Sequence, residues 1–435
     1  MKLNYKNTIL VGLAFLTISA FWQLYDFHIP LILQNTFGID KKTTGIVMAI
    51  DNILALFLLP LFGIMSDRAH SKLGRRTPFI IGGTVAAVVF MMGIPFATHT
   101  WQIVVFVCSL GLLLLSMSFY RSPAVALMPD VTPKPLRSKG NAVINLMGSI
   151  GGGLILVVNM FLAPDAKHPE TANYWPLFIA TAAIMLVGTA VLIFTVREPK
   201  LVKKMREDSA AMGIDPEEAK EPEKIEKTKQ KLPKDMRKSM GLILSSIFLW
   251  FMGYNAITTW FSSYAINALV MTEKQASGIL MVAIIAAAIS FIPIGLIASK
   301  VGRRKSILFG VVLLTAVFGS AAFYTAYSPL MYVSFALAGV AWAAINVNSL
   351  PMVLEMSKGA TVGRYTGYYY TFSMAAQAAT PFLAGVLLDA VGFSTLLPYG
   401  AVFVGLAFFT MLFVRHGDFK PIAPASKLEA FDVAD

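Results

Sequence analysis

The stretch "SAFWQLYDFHIPLILQ" (Ser19 to Gln34) sets a carboxylate, Asp26, and an imidazole, His28, inside a long apolar run. A second acid, Asp51, lies in the next apolar run, and a guanidinium, Arg121, in the fourth. A charge at the bilayer centre costs about 2.5–3.5 kcal/mol or more, so such groups pair with one another or handle ions. Taking up a proton removes a carboxylate's charge. Asp26 and Asp51 are therefore candidate proton or cation sites, with His28 placed to tune Asp26. The alternative is that either acid only steadies helix packing by pairing with Arg121 or His28. Arg121 is always charged and can fork onto hydroxyls or a carboxylate, so it suits facing a substrate as well as anchoring a helix. His28 alone reads more simply as a hydrogen-bonded structural histidine.

The first two runs form a hairpin turning near Ile39, with Asp26 thirteen residues before it and Asp51 twelve after. Nearly equal counts at about 1.5 Å per residue put both acids at similar depth. Aromatic faces and amides accompany them: Trp22, Gln23 and Tyr25 in the first run, Asn52 beside Asp51, and Tyr120 before Arg121. Further along lie Tyr254, Asn255 and Trp260, then Asn346 and Asn348, then Tyr369 and Gln377. Flat apolar surfaces beside amides and hydroxyls suit a polyhydroxylated ring. Taken singly, each amide could equally bridge two helices, because buried amides in lipid need partners.

The elements that position these residues are apolar spans. The chain is 56% hydrophobic and only 14% charged, and a crossing helix needs about 20 apolar residues. Twelve spans are expected, near 8–35, 43–66, 78–98, 102–129, 140–163, 173–196, 239–268, 274–298, 306–326, 329–357, 362–390 and 394–414. This is an all-α membrane protein. The first span lacks a small-residue cleavage site and is expected to stay as a helix. The lone Cys108 permits neither a disulfide within the chain nor a cysteine metal site, and no cofactor is implied.

Between the sixth and seventh spans, residues 197–238 are rich in Lys and Glu and read as a soluble linker, with room for a short surface helix. It separates an expected six-helix bundle over 1–196 from a second over 239–435. Lys and Arg crowd one side of the spans, at Arg68, Arg75, Arg76, Arg137, Arg303, Arg304 and Arg364 among others. Basic loops are cytoplasmic, so both termini and the linker are expected in the cytoplasm of a multi-pass cell-membrane protein. The net charge of +12 then reflects topology, and a nucleic-acid partner is not needed.

The halves echo each other. "GIMSDRAHSKLGRRTPFI" (Gly63–Ile80) follows the second span and "GLIASKVGRRKSILFG" (Gly295–Gly310) the eighth. "PAVALMPDVTPKPLRSKG" (Pro123–Gly140) is matched by "PMVLEMSKGATVGRYTG" (Pro351–Gly367), aligning Asp130 with Glu355 and Arg137 with Arg364. Repeats six spans apart are the plan of major facilitator transporters, where substrate sits near the midplane between halves. In the first loop, Gly63 permits close helix approach. Asp67, Arg68, Gly74, Arg75 and Arg76 can make a two-state latch with acids such as Asp130. The plainer reading is positive-inside charge and a tight turn.

"SDRAHSKLGRRTPFI" (Ser66–Ile80) resembles the loop after the second helix of sucrose-transporter-like proteins. These resemble in turn the glycoside–pentoside–hexuronide:cation symporters of the major facilitator superfamily. The aromatic "LWFMGYNAITTWFSSYA" (Leu249–Ala265) is similar to the seventh helix of bacterial relatives. The resemblance implies two six-helix pseudo-symmetric bundles and uptake of a sugar, such as a disaccharide, with a proton or sodium ion. One departure stands out: the sucrose-transporter branch carries an acid within its fourth helix, where this chain has Arg121 and no acid between Trp101 and Asp130. The alternative of similar architecture is a drug or metabolite:proton antiporter. A membrane enzyme or receptor belongs to another class, and no nucleophile elbow, metal spacing or phosphate loop points to catalysis.

Overall fold

The computed structural model describes residues 4–133, 136–211, 233–356 and 362–418. Among them are twelve helices long and apolar enough to cross a membrane. In chain order they are α1 (Tyr5–Leu31), α2 (Lys41–Arg68), α3 (Thr77–Thr100), α4 (Ile103–Val131), α5 (Arg137–Leu162) and α6 (Trp175–Thr195). After a shorter helix, α7 (Glu198–Ala211), come α8 (Lys234–Asn267), α9 (Glu273–Val301), α10 (Arg303–Ala321), α11 (Leu330–Leu354), α12 (Val362–Ala390) and α13 (Leu396–Leu412). No strand occurs among the described residues. The chain is a multi-pass membrane protein, with twelve spans among the described residues.

Local chemistry sets several helix ends. The Asn4 side chain caps α1 by accepting from the Asn7 backbone N–H at 3.2 Å. Pro30 lies inside α1, and the last turn loosens into a π-helical segment, Ile32–Thr36, where the Gln34 side chain donates to the Pro30 carbonyl at 2.9 Å. The longest helix, α8, has 34 residues and begins five residues before the expected 239. At about 1.5 Å per residue it outreaches a hydrocarbon core of about 30 Å. Large apolar side chains lie open on the helices, Phe57 at 72%, Phe161 at 75% and Phe194 at 84% exposed, as lipid contact would allow.

Contacts divide the chain into two units. The first comprises Met1–Asp40, Ile50–Ala219 and Thr272–Gly278; the second comprises Lys41–Ala49, Lys220–Met271 and Ile279–Asp435. In the first, α1 packs on α5, and a Cβ on Gly151 would stand 2.1 Å from the Leu16 carbonyl oxygen. The run "GSIGGG" (Gly148–Gly153), to which Gly151 belongs, thus serves backbone approach. In the second, α8 packs on α13, and a Cβ on Gly253 would meet the Gly400 carbonyl oxygen at 2.7 Å. The first turns of α2 belong to the second unit, where Lys41 Nζ donates to the Leu388 carbonyl at 3.0 Å. The part of the linker over 212–232, including Glu221–Lys231, lies outside the described residues.

Candidate functional site

In the first unit α1, α2 and α4 converge on a small cavity lined by Trp22, Asp51, Ala55, Leu59, Leu114, Ser118 and Arg121. The Arg121 guanidinium lies 5.7 Å from the Trp22 ring centroid. Trp22 in turn meets Tyr25 edge-on at 5.3 Å. Asp51 accepts from Asn52 Nδ2 at 2.9 Å. It is close enough to interact electrostatically with Arg121, with Asp26 and with Tyr25. The Trp22 Nε1 and the Tyr25 hydroxyl are buried and have no hydrogen-bond partner among the described residues. Two carboxyl groups, one guanidinium and two unspent donors therefore share one region, with Gln23 half-buried on the same helix.

His28 stands apart from this cluster. Its Nε2 lies 2.6 Å from Asn159 Oδ1, so the tuning of Asp26 expected from its position gives way to a contact with α5. Residues two apart on a helix do not share a face. Tyr120 is also committed elsewhere. It is fully buried, its hydroxyl donates to the Ala14 carbonyl at 2.9 Å, and it contacts Thr17 Oγ1. Its place is in α1–α4 packing rather than on the cavity wall.

The second unit offers an aromatic platform. Tyr254 and Trp342 stack at 3.6 Å with planes 5° apart, and Phe251 meets Trp342 edge-on at 5.4 Å. Asn255 Nδ2 is buried beside them in sequence with no hydrogen-bond partner among the described residues. Trp342 was not anticipated, because a tryptophan in "GVAWAAI" looks like lipid or core contact. Other expected ligands are spent internally. Trp260 is fully buried and donates to the Pro381 carbonyl at 3.3 Å; Asn348 donates to the Ala344 carbonyl at 2.9 Å. Tyr369 and Ser349 share a hydrogen bond of 3.1 Å. Asn346 is buried and Gln377 half-buried.

The loops after α2 and α9 build a repeated ionic arrangement. Arg76, 5% exposed, directs Nε to Asp130 at 2.8 Å and also reaches Asp67 and Ser66, while its Nη1 lies 3.4 Å from the Gly63 carbonyl. Arg75 lies 3.4 Å from the same Asp130 oxygen. Arg68 is exposed. The side chains of Arg137 and Arg364 lie outside those described. In the second unit Arg303 pairs with Glu355 at 2.5 Å, and Arg304 donates to the Leu412 carbonyl at 2.5 Å.

A residue not anticipated completes the first loop. Glu198, 1% exposed, accepts from the backbone N–H of Arg75 at 2.7 Å and of Arg76 at 3.0 Å. It also accepts from Thr77 N–H at 2.9 Å and the Thr77 hydroxyl at 2.8 Å. A carboxylate at a helix N-terminus meets unsatisfied N–H groups and the positive end of the helix dipole. Gly74 has φ 116°, and a Cβ there would lie 2.3 Å from the Glu198 carboxylate. The second unit repeats the device: Asp418 accepts from Arg304 N–H at 2.9 Å above Gly302, φ 99°.

Twelve apolar helices among the described residues, together with paired loop motifs, define an all-α membrane protein. The chain belongs to the Major Facilitator Superfamily, whose profile matches residues 11–313 and again 266–431. Among curated relatives, the human (Homo sapiens) "Proton-associated sugar transporter A" is 29% identical over 169 residues, 36% of this chain and 22% of that one. An Arabidopsis thaliana sucrose transport protein is 27% identical over 225 residues, 44% of this chain and 38% of that one. The chain thus spans well under half the length of these relatives. Among solved structures, the xylose transporter XylE from E. coli, inward open, gives a TM-score of 0.66 at 16% identity, covering 95% of this chain and 96% of that one. A POT family transporter in complex with 5-aminolevulinic acid gives 0.67 at 12% identity, covering 94% of each.

Proposed function

We propose that this chain is a secondary active transporter that carries a sugar, such as a disaccharide or other glycoside, together with a proton, by alternating access. The observation that carries the reading is the cluster of Asp26, Asp51 and Arg121 beside the unspent donors of Trp22 and Tyr25. Charge at that depth is retained for function by default. Asp26 and Asp51 are assigned the coupling proton, and Arg121, Trp22, Tyr25, Gln23 and Asn52 a substrate-facing role within the first unit. Within the second unit, the stacked Tyr254–Trp342 pair and the Asn255 amide have the chemistry of a sugar-binding face. The partial likenesses to a proton-associated sugar transporter and a sucrose transport protein favour the same substrate and ion. The Arg76–Asp130 and Arg303–Glu355 pairs serve as latches that part and re-form in the cycle. No catalytic role is assigned.

Basic loops favour a cell-membrane protein with both termini and the 197–238 linker in the cytoplasm. The 1–196 and 239–435 bundles are the two rocking bodies. The test is uptake of a labelled sugar panel into proteoliposomes under an imposed proton gradient, a sodium gradient or neither. Accumulation of one sugar under the proton gradient alone is expected. Accumulation under sodium alone would overturn the ion, and no accumulation of any sugar would overturn the substrate class in favour of an antiporter or receptor.

A further inference from the structure

The helix α9 is shared between units: Thr272–Gly278 belong to the first, and the chain from Ile279 onward to the second. Buried polar contacts account for the placement of its first turns. Asn159 Nδ2 donates to Ser277 Oγ at 2.6 Å, while Asn159 Oδ1 lies 2.6 Å from His28 Nε2. Glu273 Oε1 accepts from the Ala166 backbone N–H at 2.7 Å. His28, Asn159 and Ser277 are 1%, 2% and 0% exposed. The three side chains make one line of hydrogen bonds from α1 through α5 to α9. Its direction is consistent throughout: His28 donates through Nε2, and the Asn159 carboxamide accepts at one end and donates at the other. That leaves His28 Nδ1 buried without a hydrogen-bond partner among the described residues.

The members of this line are joined by side-chain hydrogen bonds with no carboxylate among them, unlike the ion pairs of the Gly-Arg-Arg loops. A neutral hydrogen bond contributes little net stability, so it can break and re-form, yet a half-broken line strands buried polar groups. Such a connection favours two discrete states over gradual slippage. We propose that the His28–Asn159–Ser277 line is a releasable tie that holds the first turns of α9 in the first unit, with Asn159 as its positioning residue. The inference rests on the alternating-access reading, because a carrier must let one of its helices leave such a seat in each cycle.

The test uses the full chain with Cys108→Ser and a reporter, Ala276→Cys, at a fully buried position next to Ser277. A bulky maleimide labels that thiol only when the start of α9 leaves its seat. Asn159→Ala and Ser277→Ala are each expected to label about 10-fold faster than the parent, the factor for losing one hydrogen bond. The double variant should be no faster than the quicker single. Ser277→Thr, which keeps the hydroxyl, should label like the parent. Labelling within about twofold of the parent in both single variants would overturn the tie, as would Ser277→Thr behaving like Ser277→Ala. If Asn159→Ala fails to fold, the two Ser277 variants decide alone. Labelling does not depend on uptake: faster labelling in a protein that accumulates no sugar supports the tie while refuting the substrate reading.

Discussion

Replacing Glu198 with alanine removes at one stroke the acceptor for three backbone N–H groups and one hydroxyl at the start of α3. Losing a helix cap costs about 0.5–2 kcal/mol, and hydrogen bonds to a charged group are worth about 1.5–3 kcal/mol each. One offset reduces the sum: the variant no longer has to desolvate a carboxylate. The net loss is roughly 3 kcal/mol. For a cooperative unit of about 200 residues, each kcal/mol shifts Tm by roughly 2–4 °C, so Glu198→Ala should melt roughly 6–12 °C lower. Glu198→Gln keeps an acceptor oxygen and loses the charge opposite the helix dipole, about 1 kcal/mol or roughly 2–4 °C. The matched control is Glu207→Ala in the same helix, whose carboxylate is 65% exposed and 3.9 Å from Lys203; such a pair contributes almost nothing. The assay is thermal unfolding of purified protein in detergent. A Glu198→Ala midpoint within experimental error of the parent, or equal shifts for Glu198 and Glu207, would refute the capping argument.

Three further outcomes are expected. Asp26→Asn or Asp51→Asn should reduce the gradient-driven accumulation ratio to about 1 while counterflow exchange continues, and normal accumulation by both would remove the coupling assignment. Tyr120→Phe should lower stability by about 1 kcal/mol through its lost hydrogen bond to Ala14 and leave substrate affinity unchanged; a large rise in KM with unchanged Tm would return Tyr120 to the binding site. Trp342→Ala should raise KM about 10-fold in uptake assays by removing a stacking surface worth about 1 kcal/mol or more, whereas unchanged KM would deny the platform a role.

The spans were legible because about 20 consecutive apolar residues in lipid admit little besides a helix. The loops were legible because Gly-Arg-Arg occurs twice in one register. Glu198 was not, since its partners lie 121 to 123 residues away in the chain and its own neighbourhood reads as linker. Residue type also says nothing about where a polar atom points. Tyr120, Trp260 and Asn348 have the chemistry of sugar ligands, yet each spends it on a carbonyl within the protein. Trp342 failed in the opposite sense: its surroundings are uniformly apolar in sequence, and only packing against Tyr254 makes it a platform. The link between His28 and Asn159 spans 131 positions and leaves no local pattern.

The paired carboxylates have a consequence for how the molecule could be divided. Glu198 arrives just after the sixth span and returns to the head of α3; Asp418 arrives after the last span and returns to the head of α10. Each half of the chain is thus closed by its own clasp, one lying wholly before the 212–232 segment and the other wholly after it. Two separate polypeptides, one ending at Ala211 and the other starting at Pro233, would each carry a complete clasp. Co-expressed, they are expected to reconstitute one functional carrier, while a cut placed before Glu198 would leave α3 open at its head and the first piece without its closure.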